Sequence, residues 1–181
     1  MQHQVEGGGL RLFFALPLPP ALREILDRWQ PARPPARWSR TDGLHVTLAF
    51  LGDRSPEALP NLEALASAVA ARHAPFSLHT AGLGGFPGNG RIRILWLGLA
   101  PSPALESLAQ DLRGALIAAG EAFDAKPFRA HITLARLPRP QPLPAFPGPP
   151  PTPFAADDLV LFESRTQGGY APLRTWPLRR V

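Results

Sequence analysis

The pentapeptide His45-Val46-Thr47-Leu48-Ala49 recurs 86 residues later as His131-Ile132-Thr133-Leu134-Ala135. Side chains alternate faces along a β-strand, so the His and Thr of each copy share one face. Val46, Leu48, Ile132 and Leu134 then point the other way, into a core. Each copy predicts a buried strand presenting one imidazole and one hydroxyl. If two such strands line a cleft, one imidazole can take a proton from water while the other gives one to a leaving oxygen, at a single phosphorus. Histidine suits both tasks because its unperturbed pKa is about 6.5. The hydroxyls of Thr47 and Thr133 are spaced to donate to the non-bridging oxygens.

A lone histidine on an apolar strand is more often structural than catalytic, and the pair reverses that weighting. Given the first copy, a second H-x-T-L-A arises by chance on the order of once in a few hundred such chains. The similarity also extends beyond five residues. Arg11-Leu12-Phe13-Phe14-Ala15-Leu16 is followed by prolines and Pro20-Ala21-Leu22, and Arg93-Ile94-Leu95-Trp96-Leu97 by Pro101 and Pro103-Ala104-Leu105. Each half predicts an apolar strand, a proline-marked helix start, an amphipathic helix and then the H-x-T strand. We expect one domain over residues 1–181, made of two pseudo-symmetric lobes that bring both histidines to a central cleft.

These elements must position the pair. Strands are expected over Leu10 to Leu16, Leu44 to Leu51 (stopping at Gly52-Asp53), Phe76 to Phe86, Arg91 to Leu99, from Phe128 onward, and over Leu159 to Ser164 and Tyr170 to Leu178. Pro87-Gly88-Asn89-Gly90 reads as the turn of a hairpin. One helix carries Leu22, Ile25, Leu26 and Trp29. A second starts at Ser55-Pro56 with serine as N-cap and carries Leu59, Leu62, Leu65 and Val69 toward His73. A third starts at Ser102-Pro103, carries Leu105, Leu108, Leu112 and Leu116, and ends near Gly120. Residues 31–42 predict a loop or a short edge strand around Trp38. From Pro138 to Pro153 nine of sixteen residues are proline, which predicts an extended surface loop poor in backbone donors. Mixed elements with hairpins imply an α+β fold, with mainly antiparallel sheets lining the cleft and helices outside.

Composition excludes several classes of function. At 181 residues and 45% hydrophobic the chain can build a core, and with no cysteine it forms neither disulfides nor thiolate metal sites. That fits a reducing cytoplasm, and no leader or membrane span is expected. The net charge is +5 and Lys126 is the only lysine. Arginine forks suit phosphate, so a polyanionic partner is implied, although GC-rich codon usage produces the same bias. Two histidines without a third ligand are too few for a catalytic metal, and no Gly-rich phosphate loop occurs. His3, His73 and His79 receive no role; His73, near a helix end, suits the helix dipole.

Taken with Leu44-His45-Val46-Thr47-Leu48-Ala49-Phe50-Leu51-Gly52, Leu95-Trp96-Leu97-Gly98 and His131-Ile132-Thr133-Leu134-Ala135-Arg136, the chain resembles the two-histidine (2H) phosphoesterases. Within them it resembles the RNA 2',3'-cyclic phosphodiesterase family, also called 2'-5' RNA ligases. The resemblance implies metal-independent, cofactor-free hydrolysis of RNA 2',3'-cyclic ends to 2'-phosphomonoesters by a cytoplasmic monomer. It also implies reverse, ATP-independent 2'-5' joining; Lys126 in Ala125-Lys126-Pro127 matches no ATP-dependent ligase or P-loop kinase setting. On the family's pattern His45 would be the general acid and His131 the general base, a division the spacing alone leaves open. Phe50 and Arg136, each five residues after its histidine, would correspond to a base-stacking pair. Strict alternation puts both on the wrong face, so each strand must end or twist there. Arg129 and Arg93 are phosphate candidates by position. The alternative is a nucleotide- or RNA-binding module of the same fold with weak catalysis.

Overall fold

The computed structural model describes residues 9–30, 36–88, 90–165 and 168–179. His3, Asn89 and the start of the proline- and arginine-rich stretch at 31–35 lie outside the described residues. The strands are β1 (Leu10–Pro17), β2 (Arg37–Trp38), β3 (His45–Arg54), β4 (Phe76–Pro87), β5 (Ile92–Leu99), β6 (His131–Gln141), β7 (Pro153–Ala156), β8 (Asp158–Ser164) and β9 (Tyr170–Pro177). The helices are α1 (Pro20–Trp29), α2 (Leu59–Ala70) and α3 (Pro103–Ala118). The expected α+β architecture is what forms. One sheet runs β7-β4-β5-β6-β3-β1-β8-β9, with β2 added against β6. Every strand pairing among the described residues is antiparallel.

The two histidine strands meet at the middle of this order. Val46 stands opposite Ile132, while β1 flanks β3 and β5 flanks β6. One face of the sheet carries Leu12, Phe14, Leu16, Val46, Leu48, Ile132 and Leu134, all buried in the core cluster. The helices cover that face with Leu22 and Leu26, with Leu62, Ala66 and Val69, and with Leu105, Leu108, Leu112 and Leu116. This is the apolar stripe expected of a helix on a sheet. The opposite face is left for the cleft.

Local chemistry sets the helix starts. Ser102 Oγ accepts the Leu105 N–H at 3.3 Å, with Pro103 at the first position of α3. Ser55 does not act as expected. Pro56–Ala58 forms a 3₁₀ turn first, α2 begins only at Leu59, and the Ser55 side chain caps neither. Strand β3 also runs past its expected stop. Gly52 takes φ +72°, open to glycine without strain, and stays paired with Leu12. His73 does more than face a helix end: its Nε2 lies 3.0 Å from Asp111 on α3, which Arg72 also grips at 2.9 Å.

The ends of the proline-rich segment are strand rather than loop, since β6 reaches Gln141 and β7 opens at Pro153. The segment also supplies acceptors. Trp29 Nε1 donates to the Pro147 carbonyl at 3.1 Å and Arg91 to that of Pro140 at 2.6 Å. Near its end, Thr152 N–H donates to the buried Thr80 hydroxyl at 2.8 Å. No described helix is long and apolar enough to cross a membrane.

Candidate active site

Antiparallel register continued one residue to either side of Val46 and Ile132 sets His45 toward Thr133, and Thr47 toward His131. All four side chains stand on the face opposite the core. The two imidazoles are therefore diagonal neighbours, roughly 7–8 Å apart at Cα in a regular ladder, with a hydroxyl at each remaining corner. Val46–Ile132 is the one registered pair among the described residues of β3 and β6. Each strand begins at its histidine, so the two overlap only around this pair.

Each ring is oriented by its own strand. His45 Nδ1 lies 2.7 Å from the Gly43 carbonyl, and His131 Nδ1 lies 2.7 Å from the Arg129 carbonyl. A carbonyl only accepts, so Nδ1 carries the proton in both rings. The Nε2 atoms are left for chemistry. The matching offset of two residues in both copies shows that the geometry repeats along with the sequence.

Aromatic walls set the electrostatics. His45 packs against Phe13 at 4.7 Å, Phe162 at 5.9 Å and, edge-on, Tyr170 at 5.0 Å between ring centroids. His131 packs against Phe86 at 5.0 Å and Trp96 at 6.2 Å. Burial penalises the imidazolium, pushing His45 down to about 4 against the lifting effect of the Gly43 carbonyl, and His131 adds like-charge repulsion. His131 is also held below the ordinary histidine value, by burial opposed by the Arg129 carbonyl.

Phe50 and Arg136 reach the cleft despite the alternation problem. In β3 the partner of Phe14 is Ala49 and that of Ala15 is Thr47, so Leu48 is an extra residue in a β-bulge. In β6 the partner of Leu95 is Ala135 and that of Trp96 is Thr133, so Leu134 is extra in the same way. Leu48 with Ala49, and Leu134 with Ala135, are consecutive buried pairs. Each bulge turns the next residues by one face and brings Phe50 and Arg136 to the side of the histidines. The Arg11 guanidinium lies 4.9 Å from the Phe50 ring centroid.

Two cavities meet at the four-residue corner set. One, of ≈ 200 Å³, is lined by Arg11, Phe13, Ser39, His45 and Tyr170. The other, of ≈ 770 Å³, is lined by Phe86, Arg93, Lys126, Phe128, Arg129 and His131. Thr47, Phe50, Thr133 and Arg136 line both. All eight site residues expected from sequence, Arg93 among them, thus come to one groove. The residues that sequence spacing did not single out are the walls: Phe13, Phe162, Tyr170, Phe86 and Trp96. A signal for Phe13 existed. The unbroken apolar run Leu12 to Leu16 is what a strand covered on both faces looks like. Among the described residues no group of three or more His or carboxylate side chains could hold a metal ion.

An antiparallel sheet with an imidazole and a hydroxyl from each of two matching strands defines the class of a two-histidine phosphoesterase. The family model described as the 2'-5' RNA ligase superfamily matches residues 17–168, and the chain belongs to that superfamily. It is 35% identical to the RNA 2',3'-cyclic phosphodiesterase of Escherichia coli strain K12 over 178 residues, covering 93% of this chain and 96% of that protein. The protein of the same description from Geobacillus stearothermophilus is 38% identical over 128 residues; the match spans 68% of this chain but only 41% of that relative. Among solved structures, Escherichia coli LigT complexed with 3'-AMP superposes with a TM-score of 0.78 at 34% identity, covering 94% of this chain and 98% of that one.

Proposed function

We propose that the groove hydrolyses the 2',3'-cyclic phosphate ends of RNA to 2'-phosphomonoesters. The chain is a hydrolase of the cyclic phosphodiesterase type, as its relatives are named. The observation that carries the mechanism is the diagonal placement of two imidazoles whose Nδ1 atoms are both engaged by backbone carbonyls. Water attacks phosphorus as His131 Nε2 takes its proton; the new P–O bond forms as the P–O3' bond breaks, and His45 Nε2–H protonates O3'. Thr47 and Thr133 donate to the non-bridging oxygens, Phe50 and Arg136 hold the terminal base, and Arg129 neutralises phosphate charge. With a 5'-hydroxyl attacking in place of water, the same steps join it to the 2'-phosphate as O3' leaves, giving a 2'-5' linkage without ATP.

The acid role of His45 follows the family's pattern. Burial works against it, holding that ring near 4. The anionic phosphodiester opposes burial by favouring the imidazolium. We read the chain as a monomeric, metal-independent, cytoplasmic enzyme of one domain with two lobes. The sheet order, which has β3 and β6 at its centre and β1 and β5 beside them, supports the two-lobe reading.

The test is hydrolysis of 2',3'-cyclic AMP in EDTA by wild type, His45→Ala and His131→Ala. Turnover that persists in EDTA and drops at least about 10²-fold in each variant is expected. A metal requirement, or activity surviving both substitutions, overturns the mechanism. Binding without turnover in the wild type identifies a binding module instead.

A further inference from the structure

The two imidazoles are oriented by the same kind of bond, but the backbones that supply it differ. Gly43, whose carbonyl faces His45 Nδ1, ends the 3₁₀ turn Thr41–Gly43. That turn closes on itself: Gly43 N–H donates to the Arg40 carbonyl at 3.0 Å and Leu44 N–H to that of Thr41 at 3.3 Å. Arg129, whose carbonyl faces His131 Nδ1, lies in residues 121–130, which form neither helix nor strand. Carbonyls in such a stretch need partners from outside it. Two of them find one in Arg113 on α3. Its Nη2 donates to the Asp124 carbonyl at 3.0 Å and to the Lys126 carbonyl at 2.5 Å, while Cζ lies 5.0 Å over the Phe123 ring. Asp124 N–H in turn donates to the Phe50 carbonyl on β3 at 2.8 Å, and Arg54 donates to the Ala122 carbonyl. The loop is thus tied to α3 and β3 shortly before it reaches Arg129.

Resting on the phosphodiesterase reading, we propose that Arg113 is a positioning residue for the general base, acting on His131 through the 124–129 backbone. A ring's tautomer is set by the bond its other nitrogen makes. With the loop clasped, the Arg129 carbonyl keeps the proton on His131 Nδ1 and leaves Nε2 open to take one from water. Without the clasp, the carbonyl drifts and His131 loses both its tautomer and its aim. His45 is untouched, because its own turn supports itself.

The experiment reads the tautomers directly, by nitrogen NMR of protein with labelled histidine, at alkaline pH where both rings are neutral. Wild type should show His45 and His131 with the proton on Nδ1. Arg113→Met should leave His45 so and turn His131 into a mixture of tautomers. Its kcat for 2',3'-cyclic AMP should fall about tenfold or more, part of the roughly 10²–10⁴ that a general base supplies, with KM changed less. Arg72→Met removes a guanidinium that grips Asp111 on the same helix, and should change neither reading. Arg113→Lys keeps a donor without the planar fork. It should fall between wild type and Arg113→Met, and it takes that variant's place if Arg113→Met does not fold. An unchanged His131 tautomer overturns the proposal. So does a rise in KM at constant kcat, the mark of a direct contact to substrate, since Arg113 also borders the larger cavity. A wild type that turns over no cyclic phosphate sinks the phosphodiesterase reading, while the tautomer change still upholds the clasp.

Discussion

Val46 stands directly opposite Ile132, and both are fully buried beneath the two histidines. The pair is the hinge pin of the site, since it sets the register that turns each histidine toward the other strand's threonine. Ile132→Ala should cost about 2–5 kcal/mol of stability, as large-to-small core changes do. Leu62→Ala on α2, equally buried, should cost a similar amount. Measured well below either melting temperature, kcat should fall for Ile132→Ala and stay near wild type for Leu62→Ala. Equal kcat in the two variants would show that the pair serves stability alone.

Burial of His45 makes the fold sensitive to acid. Its pKa falls from 6.5 to about 4 on folding. Between those values the unfolded chain binds the extra proton, so stability is complete above about 6.5 and declines as pH falls toward 4. At about 1.4 kcal/mol per unit, the loss is on the order of 3 kcal/mol. The lowered pKa of His131 adds to it in the same direction. Urea midpoints between pH 4 and 7 should show a shallower slope in His45→Gln than in wild type, and identical slopes would rule the effect out.

Each threonine hydroxyl can be removed with little change of shape. Under the proposed mechanism Thr47→Val and Thr133→Val each lose one hydrogen bond to a charged oxygen, worth about 1.5–3 kcal/mol. That predicts a drop of about ten- to a hundredfold in kcat/KM for 2',3'-cyclic AMP, with circular dichroism unchanged. Wild-type kinetics in both variants would exclude a contact to phosphate.

Gly84 lies under the Trp96 indole, and a Cβ there would fall 2.1 Å from Cη2. Gly84→Ala must push the ring, and Trp96 is part of the wall beside His131. Overpacking of this kind costs about 1–3 kcal/mol. Both the melting temperature and kcat should drop. Gly114→Ala on α3, with nothing within 4 Å of the added carbon, should leave kcat alone and raise stability by about 0.5–1 kcal/mol. A Gly84→Ala protein as stable and active as wild type would contradict this packing.

Much of the site was legible because it depends on two local regularities. Period-two alternation put His45, Thr47, His131 and Thr133 on the cleft face, and Ser102-Pro103 announced α3. What stayed hidden depends on partners. A bulge at Leu48 or Leu134 is defined by the neighbouring strand's register. Alternation along one strand therefore required a twist before Phe50 and Arg136 without locating it. Tyr170 and Phe162 reach His45 from the far end of the chain, where nothing local marks them. Ser55 had the right residue in front of a proline, yet the 3₁₀ turn at 56–58 displaced the helix it would have capped.

The corner arrangement of two imidazoles and two hydroxyls reads the same after a half-turn about the Val46–Ile132 midpoint. A tetrahedral phosphate resting there meets an equivalent set of donors from either direction. Polarity therefore comes from the surroundings: a tight aromatic enclosure about His45, and a wide cationic trough beyond His131. Altering only those surroundings offers a way to exchange the acid and base roles of the two histidines while leaving the chemical centre unchanged.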